Sequence, residues 1–414
     1  MRNSIKANLN DPKQLEKLYR SNKGQFKKEF NSLYPELKGN ASADFWNERL
    51  NFDGEQISWG SGRELLFVII ASLLAGVIAK FPAIFSINED YFYPRNIGFI
   101  VFPFLAAYFA WKNQLPLRKI VLVAGIMLLS CIYINYLPDV KNSDTLILSC
   151  IHLGLFLWSV MGFTFVGKGI GNLDLRLGFL KYNGDLVVMG ALILIAGGIM
   201  SAITIGLFSL IGINIEIFYG KYIAVFGVCA VPLVGTYLTR TNPLLVGKVS
   251  PVIAKLFSPL VAVMLVVYLV SIVYAGKDPY NDRAFLMVFN ALLVGVMALI
   301  FFSVAETSRD AKKNAQTWVL LVLSVLTIIV NGVALSAILF RIVELGITPN
   351  RVAVMGGNVL ILVNLIMVTV KLFKVLFKNA ALESVGIAIA VYLPVYIVWT
   401  IIVTFLFPVL FSFI

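Results

Sequence analysis

Sixty-three mostly polar residues precede a nearly unbroken series of apolar runs, and this division organises the chain. The runs cover roughly 64–86, 97–111, 119–137, 145–166, 186–213, 222–239, 252–275, 284–305, 317–340, 352–370 and 385–410, with short polar islands between them. A helix crosses a hydrocarbon core of about 30 Å with roughly 17–25 residues. The pattern therefore predicts an all-α fold: a polytopic transmembrane helix bundle of about eleven helices over 64–414, after a cytosolic segment over 1–63. The second run is short and the fifth and eleventh are long. Pro82, Pro103, Pro232 and Pro394 lie in or near runs, which membrane bundles tolerate because neighbouring groups satisfy the freed backbone.

Periodicity inside residues 1–63 is helical and amphipathic. Asp11 suits an N-cap, Pro12 the first helical position and Gln14 the third. Leu15, Leu18 and Tyr19, then Phe26, Phe30 and Leu33, recur at helix spacing. These positions predict one or two short helices, broken near Ser21–Gly24 and ended before Pro35. Trp46, Leu50 and Phe52 extend the apolar surface, but the segment is short for a substantial core of its own. Its exposed faces are a candidate surface for a protein partner.

Composition agrees with the run pattern: 59% of residues are hydrophobic and 14% charged, against about 25% charged in soluble domains. The net charge of +12 would suggest nucleic acid in a soluble protein. Beside so many apolar runs it instead indicates Lys and Arg gathered near anionic headgroups, so membrane lipids are the expected partner and nucleic acid is not. With residue 1 inside, the inner loops carry fifteen cations: Lys112, Arg118 and Lys119; Lys168, Arg176 and Lys181; Arg240, Lys248 and Lys255; Arg309, Lys312 and Lys313; Lys371, Lys374 and Lys378. The outer side carries eight, namely Lys80, Arg95, Lys141, Lys221, Lys277, Arg283, Arg341 and Arg351. This alternation predicts a cytoplasmic N-terminus and an outside C-terminus. No apolar stretch precedes residue 64, so the first run is itself the expected insertion signal.

Candidate chemistry is sparse. Lys80 and Glu306 lie near run ends, where snorkelling accounts for them, and Asp185 opens the fifth run. A central carboxylate relay for proton pumping is accordingly disfavoured. His152 is the single histidine, which excludes a His cluster and suits a packed, hydrogen-bonded side chain. Cys131, Cys150 and Cys229 sit inside runs as small hydrophobes. Gly167–Gly171 lacks the context of a phosphate loop and reads as a turn. No catalytic residue, metal site or cofactor is expected. Gly198, Ala202 and Gly206 at four-residue spacing signal close helix packing, by default within the chain. Asn290, Asn331, Asn358 and Asn364 are candidate interhelical hydrogen-bonders, or the lining of a polar path.

The stretch 341–351 carries the densest local signal. Gly346 suits a left-handed helix end, Thr348 an N-cap and Pro349 the next helix's first position, opening on Asn350 and Arg351. Arg341 and Glu344 have pairing spacing. Arg351 and Asn358, seven apart, fall on one face. The stretch is thus either a well-capped turn or an anion-binding corner at a helix N-terminus.

Glu344-Leu-Gly-Ile-Thr-Pro-Asn-Arg351, followed by a run holding Asn358 and Asn364, resembles the hallmark of a bacterial polytopic membrane family catalogued as a domain of unknown function. Leu15–Tyr19 and Phe45–Leu50 are similar to features of its longer members. The resemblance implies a bacterial inner-membrane location, carries over Gly346, Thr348 and Arg351 by position, and implies no established activity. The expectation from sequence is a non-enzymatic structural, sensory or accessory membrane protein. The alternative is a permease moving a small solute among the late helices.

Overall fold

Helices begin at the second residue, where the sequence pattern predicts none before Pro12. A computed structural model describes residues 1–51, 60–140, 143–210, 213–274, 283–306 and 315–413. Lys141, Lys277, Arg309, Lys312 and Lys313 of the charge count, and Phe52, lie outside the described residues. The chain forms two compact units, 1–58 and 59–414.

The first unit holds four helices rather than one or two: α1 (Arg2–Ala7), α2 (Pro12–Ser21), α3 (Lys23–Leu37) and α4 (Ala41–Asn51). Asp11 caps α2 through the Lys13 and Gln14 amides, and Asn22 both ends α2 and caps α3. Pro35 lies inside α3, correcting the expected stop. So near the C-terminus the ring costs one backbone bond and leaves few later turns to disturb. The apolar positions converge on a separate core of Ile5, Leu15, Phe26, Phe30, Leu33, Ala43, Trp46 and Leu50. Burial of each large side chain contributes about 1.5–3 kcal/mol. The expectation that this segment lacks a core of its own is therefore corrected: α1 and α4 supply the missing walls.

Ion pairs tie the outside of this unit. Glu36 meets Arg2 and Lys6, and Glu16 meets Arg20 and Arg49. Hydrogen bonding from Lys6 holds the Glu36 carboxyl below its ordinary range, and Arg20 does the same for Glu16. A depressed folded value means the folded form gives up protons more readily than the unfolded chain. The contribution is present at neutral pH and is lost as pH falls through and below the usual glutamate range. Trp46 fluorescence of the chain, followed from neutral to acid pH, should report loosening in that window. Glu36→Gln with Glu16→Gln should reduce the acid dependence.

The second unit is built from long apolar helices: α5 (Gly62–Ala79), a short α6 (Phe81–Phe85), α7 (Glu89–Lys112), α8 (Leu117–Tyr136), α9 (Asp144–Val166) and α10 (Leu173–Leu210). There follow α11 (Glu216–Thr241), α12 (Pro243–Tyr274), α13 (Arg283–Glu306), α14 (Ala315–Leu345), α15 (Pro349–Phe377) and α16 (Glu383–Leu410). Among the described residues no strand occurs, and ten helices are long and apolar enough to span a membrane. The remaining long helix is α7, which contains the short second run. Its 24 residues include Arg95, Asn96, Pro94 and Pro103, so it is less apolar than its neighbours.

Polar residues punctuate the runs as helix starts. Ser61 caps α5 through the Glu64 amide, Ser143 caps α9 through Leu146, and Asn172 receives the Asp174 amide at the start of α10. That last cap lengthens the fifth run: α10 begins at 173 rather than 186, placing Asp185 in its interior.

Two hydrophobic cores fill the unit. One gathers α5, α7, α8, α9 and α11 around Phe109, Leu157 and Met161, with Phe179 and Tyr182 of α10. The other gathers α12–α16 around Phe289, Leu323, Leu365 and Val385, with Leu180 of α10. Thus α10 borders both. Close approaches use glycine: a Cβ at Gly356 would overlap the Trp399 ring, and one at Gly184 the Phe302 ring. By contrast, a Cβ at Gly198 or Gly206 would meet nothing, and Ala202 is exposed. The small-residue stripe of α10 is therefore not an intrachain packing face.

The π-helical segment Ile402–Leu406 within α16 shifts carbonyls off the usual ladder. Ser149 donates to Thr404 O at 2.9 Å and Tyr133 to Phe405 O at 3.0 Å, so α9 and α8 recover backbone acceptors there.

Candidate functional site

At the 341–351 turn, Gly346 adopts φ +81° just past α14, a conformation glycine takes without Cβ strain. Thr348 accepts the Arg351 amide at 3.4 Å, and Pro349 opens α15. The Arg351 guanidinium folds back, donating to Leu345 O at 2.8 Å and Gly346 O at 2.6 Å. It thereby caps the carbonyl end of α14, where a cation complements the helix dipole. Among the described residues no ion pair joins Arg341 to Glu344, correcting that expectation; Glu344 faces outward. Asn350 is half-buried. Nor do Arg351 and Asn358 act in one direction: Asn358 turns into the bundle while Arg351 returns to the turn. The geometry is that of a capped corner.

The asparagines do meet, in two groups. Asn358 Nδ2 donates to Asn290 Oδ1 at 2.7 Å, and Asn331 Nδ2 donates to Asn358 O at 3.1 Å, linking α13, α14 and α15. Asn364 Nδ2 donates to Tyr396 Oη at 3.1 Å, and that hydroxyl donates to Met297 Sδ at 3.3 Å. Asn331 and Asn364 are fully buried, yet among the described residues the Oδ1 atom of each has no donor. A cavity of about 330 Å³ lies elsewhere, between α7 and α8, lined by Phe99, Pro103, Ala106, Val123 and Met127 among others, and it is apolar.

Charged groups missed by the sequence reading are the larger surprise. Glu64, 3% exposed, accepts from Tyr108 Oη at 2.5 Å and from Lys112 Nζ at 2.8 Å. Arg95 pairs with Asp139 at 3.0 Å and stacks over Tyr91, beside Asn96, which exchanges hydrogen bonds with Asn135. Lys181 reaches Glu306 Oε2 at 3.2 Å, and Asp185 stands against the same carboxyl. The Glu306 side chain is 1% exposed, so it does not snorkel as its run-end position suggests. The near absence of interior charge is thus corrected. The Glu64 triad had a faint sequence signal, since Lys112 and Tyr108 share a helix face four residues apart. Asp185 and Glu306 lie 121 residues apart, and no local pattern joins them. His152 is hydrogen-bonded to Leu148 O at 2.9 Å, as a packed histidine should be.

Many long apolar helices, polar groups buried between them and capped tight turns define the class: this is a multi-pass, all-α integral membrane protein. Comparison with protein-family models, with curated proteins and with solved structures returns no match to this chain.

Proposed function

We propose that the chain is a non-enzymatic sensory or accessory protein of the bacterial inner membrane, with its N-terminus in the cytoplasm and its C-terminus outside. The observation that carries this reading is the way the late polar residues are used. Asn290, Asn331 and Asn358 bind one another across three helices, and Arg351 binds the preceding helix end, so each serves helix–helix cohesion. The loop asymmetry of Lys and Arg supports the orientation. Membership of the polytopic family that the Glu344–Arg351 turn resembles belongs to the same proposal.

A permease is the second reading. It is favoured by the buried, donor-free Oδ1 atoms of Asn331 and Asn364, which a passing solute or water could engage. Proteoliposomes holding the purified chain separate the two. Stopped-flow swelling in glycerol, urea and neutral amino acids should match protein-free vesicles. Saturable uptake of any of these, lost in Asn331→Leu, would replace the accessory reading with the permease.

A further inference from the structure

Near one end of the bundle, α10, α12 and α13 enclose two carboxyl groups and one ammonium. Lys181 Nζ lies 3.2 Å from Glu306 Oε2. Asp185, one turn after Lys181 on α10, stands against the same carboxyl, with Ser250 of α12 beside it. Among the described residues, these three charged groups are the ionisable side chains facing one another there. The near approach of α10 to α13 that creates the contact depends on Gly184, where a Cβ would overlap Phe302.

Among the described residues, three oxygens at this junction are buried without a hydrogen-bond partner: Asp185 Oδ1, Glu306 Oε1 and Ser250 Oγ. Ser250 is fully buried, and Glu306 has only one partnered oxygen, Oε2 on Lys181. Two ionised carboxylates cannot hold each other, because both groups only accept hydrogen bonds. Nor can one ammonium neutralise both. Among the described residues, with both acids ionised, the site carries one net negative charge, and the Glu306 side chain is 1% exposed, where unpaired charge is costly. A single further positive charge placed between the carboxyls removes the net charge and supplies the missing donor. This logic also governs closely spaced carboxyl pairs in soluble enzymes, which share a proton because both cannot ionise.

We propose that Asp185 and Glu306 form a proton-binding site that holds one shared proton between their facing carboxyls, with Lys181 as the fixed counter-charge. The step balances simply: an acid O–H forms on one carboxylate and donates to the other, and no bond other than O–H is made or broken. Proton release leaves the pair repelling, which strains the α10–α13 contact. The site lies on a different interface from the asparagines, since α13 turns Glu306 toward α10 and Asn290 toward α15. The inference does not rest on the accessory reading: the bundle could bind a proton whether or not it moves a solute.

Infrared difference spectra of the full chain in proteoliposomes, recorded between acid and alkaline buffer, test this directly. The wild-type protein should show a protonated-carboxyl band that disappears with a single midpoint. Asp185→Asn and Glu306→Gln should each abolish it, whereas Glu64→Gln should leave it intact. Lys181→Met, by removing the counter-charge, should move the midpoint to higher pH. A sodium titration at fixed pH supplies the opposing outcome. If sodium but not choline raises the melting temperature and no protonated band is present, the site takes a metal cation and the proton assignment fails. A band that survives in both Asp185→Asn and Glu306→Gln also overturns it. The wild-type spectrum and sodium titration decide the matter even if a variant does not fold.

Discussion

Trp46→Ala is expected to unfold the N-terminal unit. The Trp46 ring is 2% exposed and meets Tyr19 edge-on at 5.6 Å and Phe26 at 5.2 Å, with the Arg49 guanidinium 4.5 Å from its centre. Removing a buried tryptophan costs about 3–5 kcal/mol through lost burial and the cavity left behind. A core this small supplies only about 3–5 kcal/mol in total. Loss and supply are therefore of one size, and the folded population should collapse rather than weaken. Limited proteolysis of the full chain should show new cuts within residues 1–51 of the variant. Phe45→Ala, one residue away but at a ring 62% exposed, should leave the pattern unchanged. Equal resistance of Trp46→Ala and wild type would mean the aromatic cluster does not hold this unit together.

Glu64→Ala should produce the largest single loss in the membrane bundle. Its carboxylate joins α5 to α7 through Tyr108, 1% exposed, and Lys112. Breaking a buried pair by removing one partner costs about 3–5 kcal/mol, because the other group keeps its desolvation without its compensation. Lys112 retains solvent, with 40% of its side chain exposed, so the lower end, about 3 kcal/mol, is expected. The Tyr108 hydroxyl has no such outlet. Thermal unfolding in detergent should rank Glu64→Ala as the most destabilised, then Glu64→Gln, with Tyr108→Phe mildest because it removes the donor cleanly. In the double variant the losses should fall well short of additive, since both act on one hydrogen bond. Additive losses would show that Glu64 acts through Lys112 alone.

The N-terminal core and the Glu64 triad differ in how far the sequence exposed them. The spacing of Leu15, Phe26, Phe30 and Leu33 marked buried positions correctly, because 3.6-residue periodicity is local. It did not show that Ile5 of α1 and Trp46 of α4 complete the same core. That closure needs the chain to turn back on itself, and no short window contains it. Likewise Gly346, Thr348 and Pro349 were legible as a helix–turn–helix corner, since caps obey rules spanning only a few residues. Where Arg351 points was not legible. An N-terminal arginine can serve an incoming anion or the carbonyls of the previous helix, and only the turn's geometry chose the carbonyls.

The sequence by itself determined the all-α membrane bundle and the approximate position of its long apolar helices. Apolar run length and the obligation to satisfy every backbone group inside lipid leave few alternatives. It also marked Asn290, Asn331, Asn358 and Asn364 as interior polar residues, though not which would pair. Only the tertiary structure decided which charges are buried. Asp185 and Glu306 looked like run-end residues because hydropathy averages along the chain, whereas burial depends on what packs across it. The Asn172 cap extends α10 past its apolar stretch, and Gly184 lets α13 approach. Together they bring two acids 121 residues apart to one junction, and so give the bundle the polar interior its composition had seemed to deny.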